Sequence, residues 1–317
     1  MKRGKISDSA SVETTRLARR RSWWLVRETL IYLAPIALFM GLFFVVPAAV
    51  FFAYSFLESE LYTVSLEPTL ANYIQAITDP VYIKVTWNAV QIGLLTAVLS
   101  VGFSYPVAYF VNFRMTRGRN TILMLIIISL LSSYLVRVYA WKTILGRNGL
   151  INGLLTSIGL IDEPLSFLLY SKAAVLITLL HVFLPFAILP ILSALQNIDY
   201  SVIEAAKDLG ASPLTTFLKV TFPLSSRGVM SAFLYAFVLA AGDYVTPQLV
   251  GGTSGVMVGV SIANQFVKTG RWGAGSALSF AVLVVFLAIF MLITYLLQAL
   301  KLIPRQPKRT KLEMEAR

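Results

Sequence analysis

Residues 197–226 read NIDYSVIEAAKDLGASPLTTFLKVTFPLSS, a polar-and-apolar stretch set between two long apolar runs. Ser201 is placed as an N-cap, with Glu204 three residues on to complete a capping box. The run 204–209 continues as a helix, and Gly210 stands where such a helix ends in a left-handed turn. Ser212-Pro213 reads as a second N-cap with proline at the first helical position. The spacing predicts a second short helix over 215–222, stopped by Pro223. Ala205, Ala206, Leu209, Leu214, Phe217 and Leu218 give the pair an apolar face. That face packs either on the chain's own flanking runs or on a partner.

Outward from this loop, the chain is dominated by apolar runs. Of its 317 residues 57% are hydrophobic and 13% charged. A soluble domain carries about 25% charged residues. Six segments approach the roughly 20 apolar residues that a spanning helix needs. They lie at 29–56, 85–111, 121–145, 173–195, 229–250 and 276–300. No segment shows the sustained alternation of a spanning strand. The expected fold is therefore all-α, a polytopic membrane protein with six transmembrane helices. A tail over 1–28 precedes the membrane domain of 29–300, and a second tail covers 301–317.

The net charge of +12 follows this plan. With both termini inside, the tails and the loops after spans two and four hold 20 of the 27 Lys and Arg residues. The other side holds Lys84, Lys142, Arg147, Lys172, Lys268 and Arg271, and Arg137 falls within span three. This asymmetry predicts an N-in, C-in topology, with residues 197–226 cytoplasmic. Basic residues that flank spans account for the charge without nucleic acid. Among the outer loops, 150–160 has the spacing of a short interfacial helix.

Function classes are narrowed by what is missing. There are no cysteines and one histidine, His181, too few for a metal cluster. The sequence contains no G-x-x-x-x-G-K-[ST] loop to cradle nucleotide phosphates. No nucleophile–base set stands out, so no catalytic residue is expected. His181 is expected to be a hydrogen-bonded packing residue. Gly93, Gly102 and Gly242 are expected at close helix contacts. Pro185 and Pro190 are expected to kink span four.

Residues 204–223 resemble the coupling loop of binding-protein-dependent ABC importer permeases. The family pattern is E-A-A, three residues, G, nine residues, I, one residue, L-P. Here it reads Glu204-Ala205-Ala206, with Asp208 among the three that follow, then Gly210, Val220 and Phe222-Pro223. The resemblance implies that this helix pair docks into a cytoplasmic ATPase subunit, with Glu204 facing the partner or capping the helix and Gly210 allowing the turn. ATP and magnesium would be bound by two such ATPase subunits and not by this chain. A second permease subunit and a periplasmic substrate-binding protein complete the implied assembly, in a bacterial inner membrane whose lipid surrounds it. A stand-alone secondary transporter is the competing class; it leaves the helix pair without a role.

Three further stretches are similar to the spermidine/putrescine-type branch. They are LVRVYAW at 135–141 followed by GRNGL, LPFAILP at 184–190, and GDYVTPQLVGG at 242–252 followed by WGAGSA at 272–277. Permeases for opines, organophosphonates and ferric iron share parts of them. The resemblance implies a small polar solute, a polyamine first. Arg137 and Asp243 are ionisable residues inside spans, which are costly and face an interior or a cavity. Either they form a structural ion pair, or Asp243 meets a cationic solute with Tyr139, Trp141 and Tyr244 offering aromatic faces.

Overall fold

The computed structural model describes residues 29 and 31–299, with the backbone alone at Val64. The tails expected at 1–28 and 301–317 lie outside the described residues, apart from the boundary noted. Among the described residues five helices are long and apolar enough to cross a membrane, and one bent pair makes six if its two halves are counted as one span.

Helix α1 is Ile31–Tyr54. A short hairpin, β1 Leu57–Glu60 and β2 Thr63–Pro68, and helix α2 Ala71–Thr78 lead into α3 Pro80–Phe113. The hairpin answers no alternation noticed in the sequence, because its strands are only four and six residues long. Helix α3 starts five residues earlier than expected, since the Asp79 carboxylate accepts the Val81 amide at 2.8 Å and Pro80 fills N1.

Span three is broken. Helix α4 Arg119–Leu131 and helix α5 Tyr134–Leu145 do not run on through 121–145: the chain bends by 92° between Arg119–Leu131 and Tyr134–Ser157. Ser132 and Ser133 between them adopt extended backbone, ψ 144° and 129°, which interrupts the helical ladder. A short helix α6, Leu150–Ser157, follows close to the expected place. Helix α7, Lys172–Gln196, matches span four and contains Pro185 and Pro190. The Ser171 hydroxyl caps it by accepting the Ala174 amide at 3.1 Å.

Helix α8, Tyr200–Asp208, opens the loop. Helix α9 then runs from Pro213 to Ala241 without a stop. Pro223 was expected to end a short helix and does not. Its ring would strike the carbonyl four residues back, and it has no N–H to give. A π-helical turn at Phe217–Thr221 widens the ladder just ahead of it, the Phe222 amide reaching back to the Phe217 carbonyl. The same device stands in α1, where a π turn at Gly41–Val45 precedes Pro47.

Span five ends earlier than 250. Gly242, Asp243 and Tyr244 separate α9 from a six-residue helix α10, Val245–Val250. Helix α11, Val258–Val267, was not foreseen, and α12, Trp272–Ala299, is the last crossing.

The core is made by α3, α7 and α9, which pack on one another along their lengths. At one end Val85, Ala89, Val175, Leu179, Phe237 and Leu278 are buried together. At the end nearer α8 the buried set includes Tyr105, Ala108, Val111, Ile191 and Leu195. Small residues set the spacing. A Cβ on Gly93 would lie 2.7 Å from the Ala241 Cβ, and one on Gly228 would lie 2.4 Å from the Ala194 Cβ. Gly102, expected at such a contact, faces open space, and the neighbour of Gly242 is its own helix's Val238 carbonyl. Helix α1 buries no residue, and its contacts run mainly to α12.

Candidate functional site

The loop end of the bundle is built on an aromatic cluster. Phe217, in the π turn, lies edge-on to Tyr105 at 5.5 Å and to Tyr109 at 5.9 Å, and Phe222 lies 5.8 Å from Tyr105. The Tyr105 hydroxyl shares a hydrogen bond with the Ser225 hydroxyl at 2.8 Å. So the root of α9 is fixed to α3, and Phe217 belongs to the inner side of the loop, not to an outward apolar face. Ile203 and Thr216 are buried on that inner side too.

The outer side is apolar and uncovered. Leu209 is 88% exposed, Leu214 67% and Leu218 55%. Val202 is exposed as well. Glu204, Ala205, Asp208 and Gly210 are exposed, whereas Ala206, Val220 and Pro223 are half-buried. Gly210 has φ +80°, a left-handed conformation that a side chain resists. Its amide bonds the Lys207 carbonyl at 2.8 Å and the Ala211 amide bonds the Ala206 carbonyl, which closes the end of α8. Ser212 caps α9 through the Thr215 amide at 3.3 Å, with Pro213 at the first position.

The first cap differs from expectation. Asp199, not Ser201, is the N-cap of α8, its carboxylate accepting the Ser201 amide at 3.0 Å. The helix begins two residues earlier, so Glu204 falls beyond the reciprocal capping position and has no bonded partner among the described residues. The backbone amide of Ser201 holds the Asp199 carboxyl below its ordinary value of 3.8. A depressed carboxyl stabilises the folded loop above that ordinary value and loses its effect as pH falls through the lower one. Asp199→Ala is therefore expected to speed amide exchange in the first turn of α8 at neutral pH. The difference from the unaltered chain should shrink below pH 3.8.

The five residues of the expected solute path fall into two separate sets. Asp243 sits in the break between α9 and α10, half-buried. It accepts the Tyr134 hydroxyl at 2.6 Å, the Val245 amide at 3.2 Å and the Thr246 amide at 3.1 Å. The Thr246 hydroxyl lies 2.7 Å from the Tyr134 oxygen. Asp243 thus caps α10 and ties it to the start of α5, the second half of the broken span.

Arg137 points the other way. It donates to the Val182 carbonyl of α7 at 3.1 Å and to the Ser132 carbonyl at 3.4 Å, while its Nε is buried with no partner. Its charge serves the freed carbonyl at the break of span three, at the negative end of α4. No Arg137–Asp243 ion pair occurs among the described residues, so that alternative is set aside. Trp141 lies edge-on to His181 at 5.6 Å, and His181 is exposed and makes no hydrogen bond among the described residues. Tyr139 and Tyr244 are exposed, the Lys142 ammonium lying 5.9 Å from the Tyr139 ring.

A family model, binding-protein-dependent transport system inner membrane component, matches residues 89–302. The chain belongs to this family. It is a multi-pass protein of the bacterial inner membrane. It is similar to the spermidine/putrescine transport system permease protein PotB of Haemophilus influenzae, 31% identical over 267 residues. The match covers 83% of this chain and 91% of that one. PotB of Escherichia coli K12 is 31% identical over 217 residues, 68% of this chain and 78% of its own. Among solved structures, a bacterial ABC transporter involved in the import of the acidic polysaccharide alginate contains a chain of the same fold. It matches 90% of this permease with a TM-score of 0.69 at 15% identity.

Tyr134 and Thr246 are the permease residues that sequence reading missed. They follow Ser132-Ser133 and Gly242-Asp243, two breaks that hydropathy passes over, so no local signal marks them. The geometry predicts the outcome of a double-mutant cycle. Asp243→Ala should destabilise the permease by about 2 kcal/mol, the worth of hydrogen bonds to a charged group. Arg137→Gln should not rescue it, because the two share no partner, and the coupling should stay under about 0.5 kcal/mol. Thermal unfolding of the two single variants and the double variant checks this.

Proposed function

We propose that this permease is one of two membrane subunits of an ATP-driven importer of polyamines. The observation that carries the reading is the outward face of the α8–α9 turn. Leu209, Leu214 and Leu218 stand in water around Gly210, in a loop that the chain's own packing leaves uncovered. An apolar surface of this kind on a rigid helix pair fits a groove in a partner. The partner proposed is a cytoplasmic ATPase, two copies of which bind ATP and magnesium and supply the energy that this chain has no phosphate loop to harvest. Closure of the ATPase pair would shift the membrane subunits between inward-open and outward-open states.

The solute class comes from the relatives, whose names state spermidine and putrescine transport. A periplasmic binding protein would deliver the solute to the outer loops. Exposed Tyr139 and Tyr244 present faces to which an alkylammonium is attracted. The carboxylate of Asp243 acts in this scheme through Tyr134, holding the two breaks together beside the path.

The complex reconstituted with its binding protein tests the reading. ATP hydrolysis is expected to rise on addition of putrescine or spermidine, and to be unmoved by opines or phosphonates. Stimulation by an anionic or zwitterionic solute alone would remove the polyamine assignment and leave the importer. Hydrolysis that ignores the permease altogether would remove both.

A further inference from the structure

At the end of the bundle away from α8, helices α1, α11 and α12 enclose a groove of about 700 Å³. Three rings form its wall. Phe51 of α1 stacks on Trp272 of α12 at 6.2 Å, and Phe266 of α11 lies edge-on to both, at 5.6 and 5.8 Å. Ala48 and Phe280 continue the apolar lining. The polar lining is two serines. The Ser279 hydroxyl is donated to the Gly275 carbonyl at 2.8 Å, and the Ser276 hydroxyl is buried with no partner. The lining therefore offers a polar solute almost nothing to bond and suits a hydrocarbon chain.

The residues next to the lining in sequence have the opposite character. Val267 and Trp272, which line the groove, are followed and preceded in sequence by Lys268 and Arg271. Neither cationic side chain has an ion-pair or hydrogen-bond partner among the described residues. Their backbones are held. The Lys268 carbonyl accepts the Tyr62 hydroxyl at 2.8 Å, and the Arg271 amide donates to the Gln265 carbonyl at 2.9 Å. Two cations without a bonded partner among the described residues thus lie one residue from the lining, beside a tryptophan of the kind that marks the membrane surface.

We propose that this groove binds one anionic phospholipid, an acyl chain lying against Phe51, Phe266 and Trp272 and the phosphate meeting Lys268 and Arg271. Charge complementarity selects this occupant. A helix from another protein would fill the groove without a use for two cations, and a free phosphate would use the cations and ignore the groove. The site does not depend on the transported solute or on the ATPase.

The test uses the whole complex in phosphatidylcholine vesicles doped with dibrominated phosphatidylglycerol or dibrominated phosphatidylcholine, reading tryptophan quenching. Quenching by the anionic lipid should saturate at lower doping, by roughly fivefold for each cation. Trp272→Phe should remove the saturable part. Lys268→Gln with Arg271→Gln should abolish the preference for phosphatidylglycerol, and Ser279→Leu, which fills the groove, should abolish saturation while the cations remain. Equal quenching by the two lipids overturns the proposal. So does a phosphatidylglycerol preference that survives Ser279→Leu, or one that inorganic phosphate competes away, since either reduces the site to surface charge. If Ser279→Leu does not assemble, the charge variants decide the matter, because neither side chain has an ion-pair or hydrogen-bond partner among the described residues.

Discussion

Gly210→Val is expected to cut uptake by about five- to thirtyfold while the permease still inserts and assembles. The number follows from backbone strain. Gly210 has φ +80°, and an ordinary L-residue held there costs about 1–2 kcal/mol, which is a factor of that size in any equilibrium requiring the turn. Space is not the issue within this chain, since a Cβ at Gly210 meets nothing within 4 Å. That separates two origins of the effect. Asn tolerates the left-handed region, so Gly210→Asn should keep most of the uptake if conformation is what matters. If Gly210→Asn fails as badly as Gly210→Val, the open side of the glycine is instead filled closely by the ATPase. Normal uptake and normal solute-stimulated ATP hydrolysis in Gly210→Val would remove the coupling role of this turn.

The largest loss of stability is expected at Gly228. A Cβ there would lie 2.4 Å from the Ala194 Cβ and 2.5 Å from the Pro190 carbonyl oxygen, so α7 and α9 would have to move apart. Overpacking of a close-packed core costs about 1–3 kcal/mol, and the backbone contact puts Gly228→Ala at the upper end. Ala194→Gly should restore only part of it, because the Pro190 carbonyl remains in the way. Gly102, on the outside of α3, gives the contrast. A Cβ at that exposed position in α3 meets nothing, and Gly102→Ala should stabilise by about 0.5–1 kcal/mol through its helix preference. Thermal unfolding of the three variants in detergent orders them; a Gly228→Ala chain as stable as Gly102→Ala would refute the packing described.

What could be read from the sequence follows the strength of the local signal. Apolar length located α7 to within one residue at each end, because polar residues, Lys172 and Gln196-Asn197, bound the run. The helix pair around Gly210 was legible from Gly210, Ser212 and Pro213, whose backbone preferences are strong and local. Breaks inside apolar runs were not legible. Ser132-Ser133 and Gly242-Asp243 sit within hydrophobic surroundings that continue on both sides, so hydropathy runs straight through a 92° bend. Proline misled in the other direction. Pro223 was read as a stop, and a π turn lets the helix pass it. The partners of Arg137 and Asp243 depend on which way two broken spans turn, a tertiary fact that spacing does not carry.

The uninterrupted course of α9 sets a mechanical scale. Its 29 residues make a rod about 43 Å long, so a tilt of about 5° pivoting at Pro213 sweeps the Ala241 end through about 4 Å. That stroke exceeds the 2.6 Å between the Tyr134 oxygen and Asp243, which follow directly at its tip. Either the bond parts on every cycle, or the second half of span three is towed with the rod. In the second case a small rotation imposed at the loop, on the proposed coupling, would be carried along the rod into the helix that begins at Tyr134.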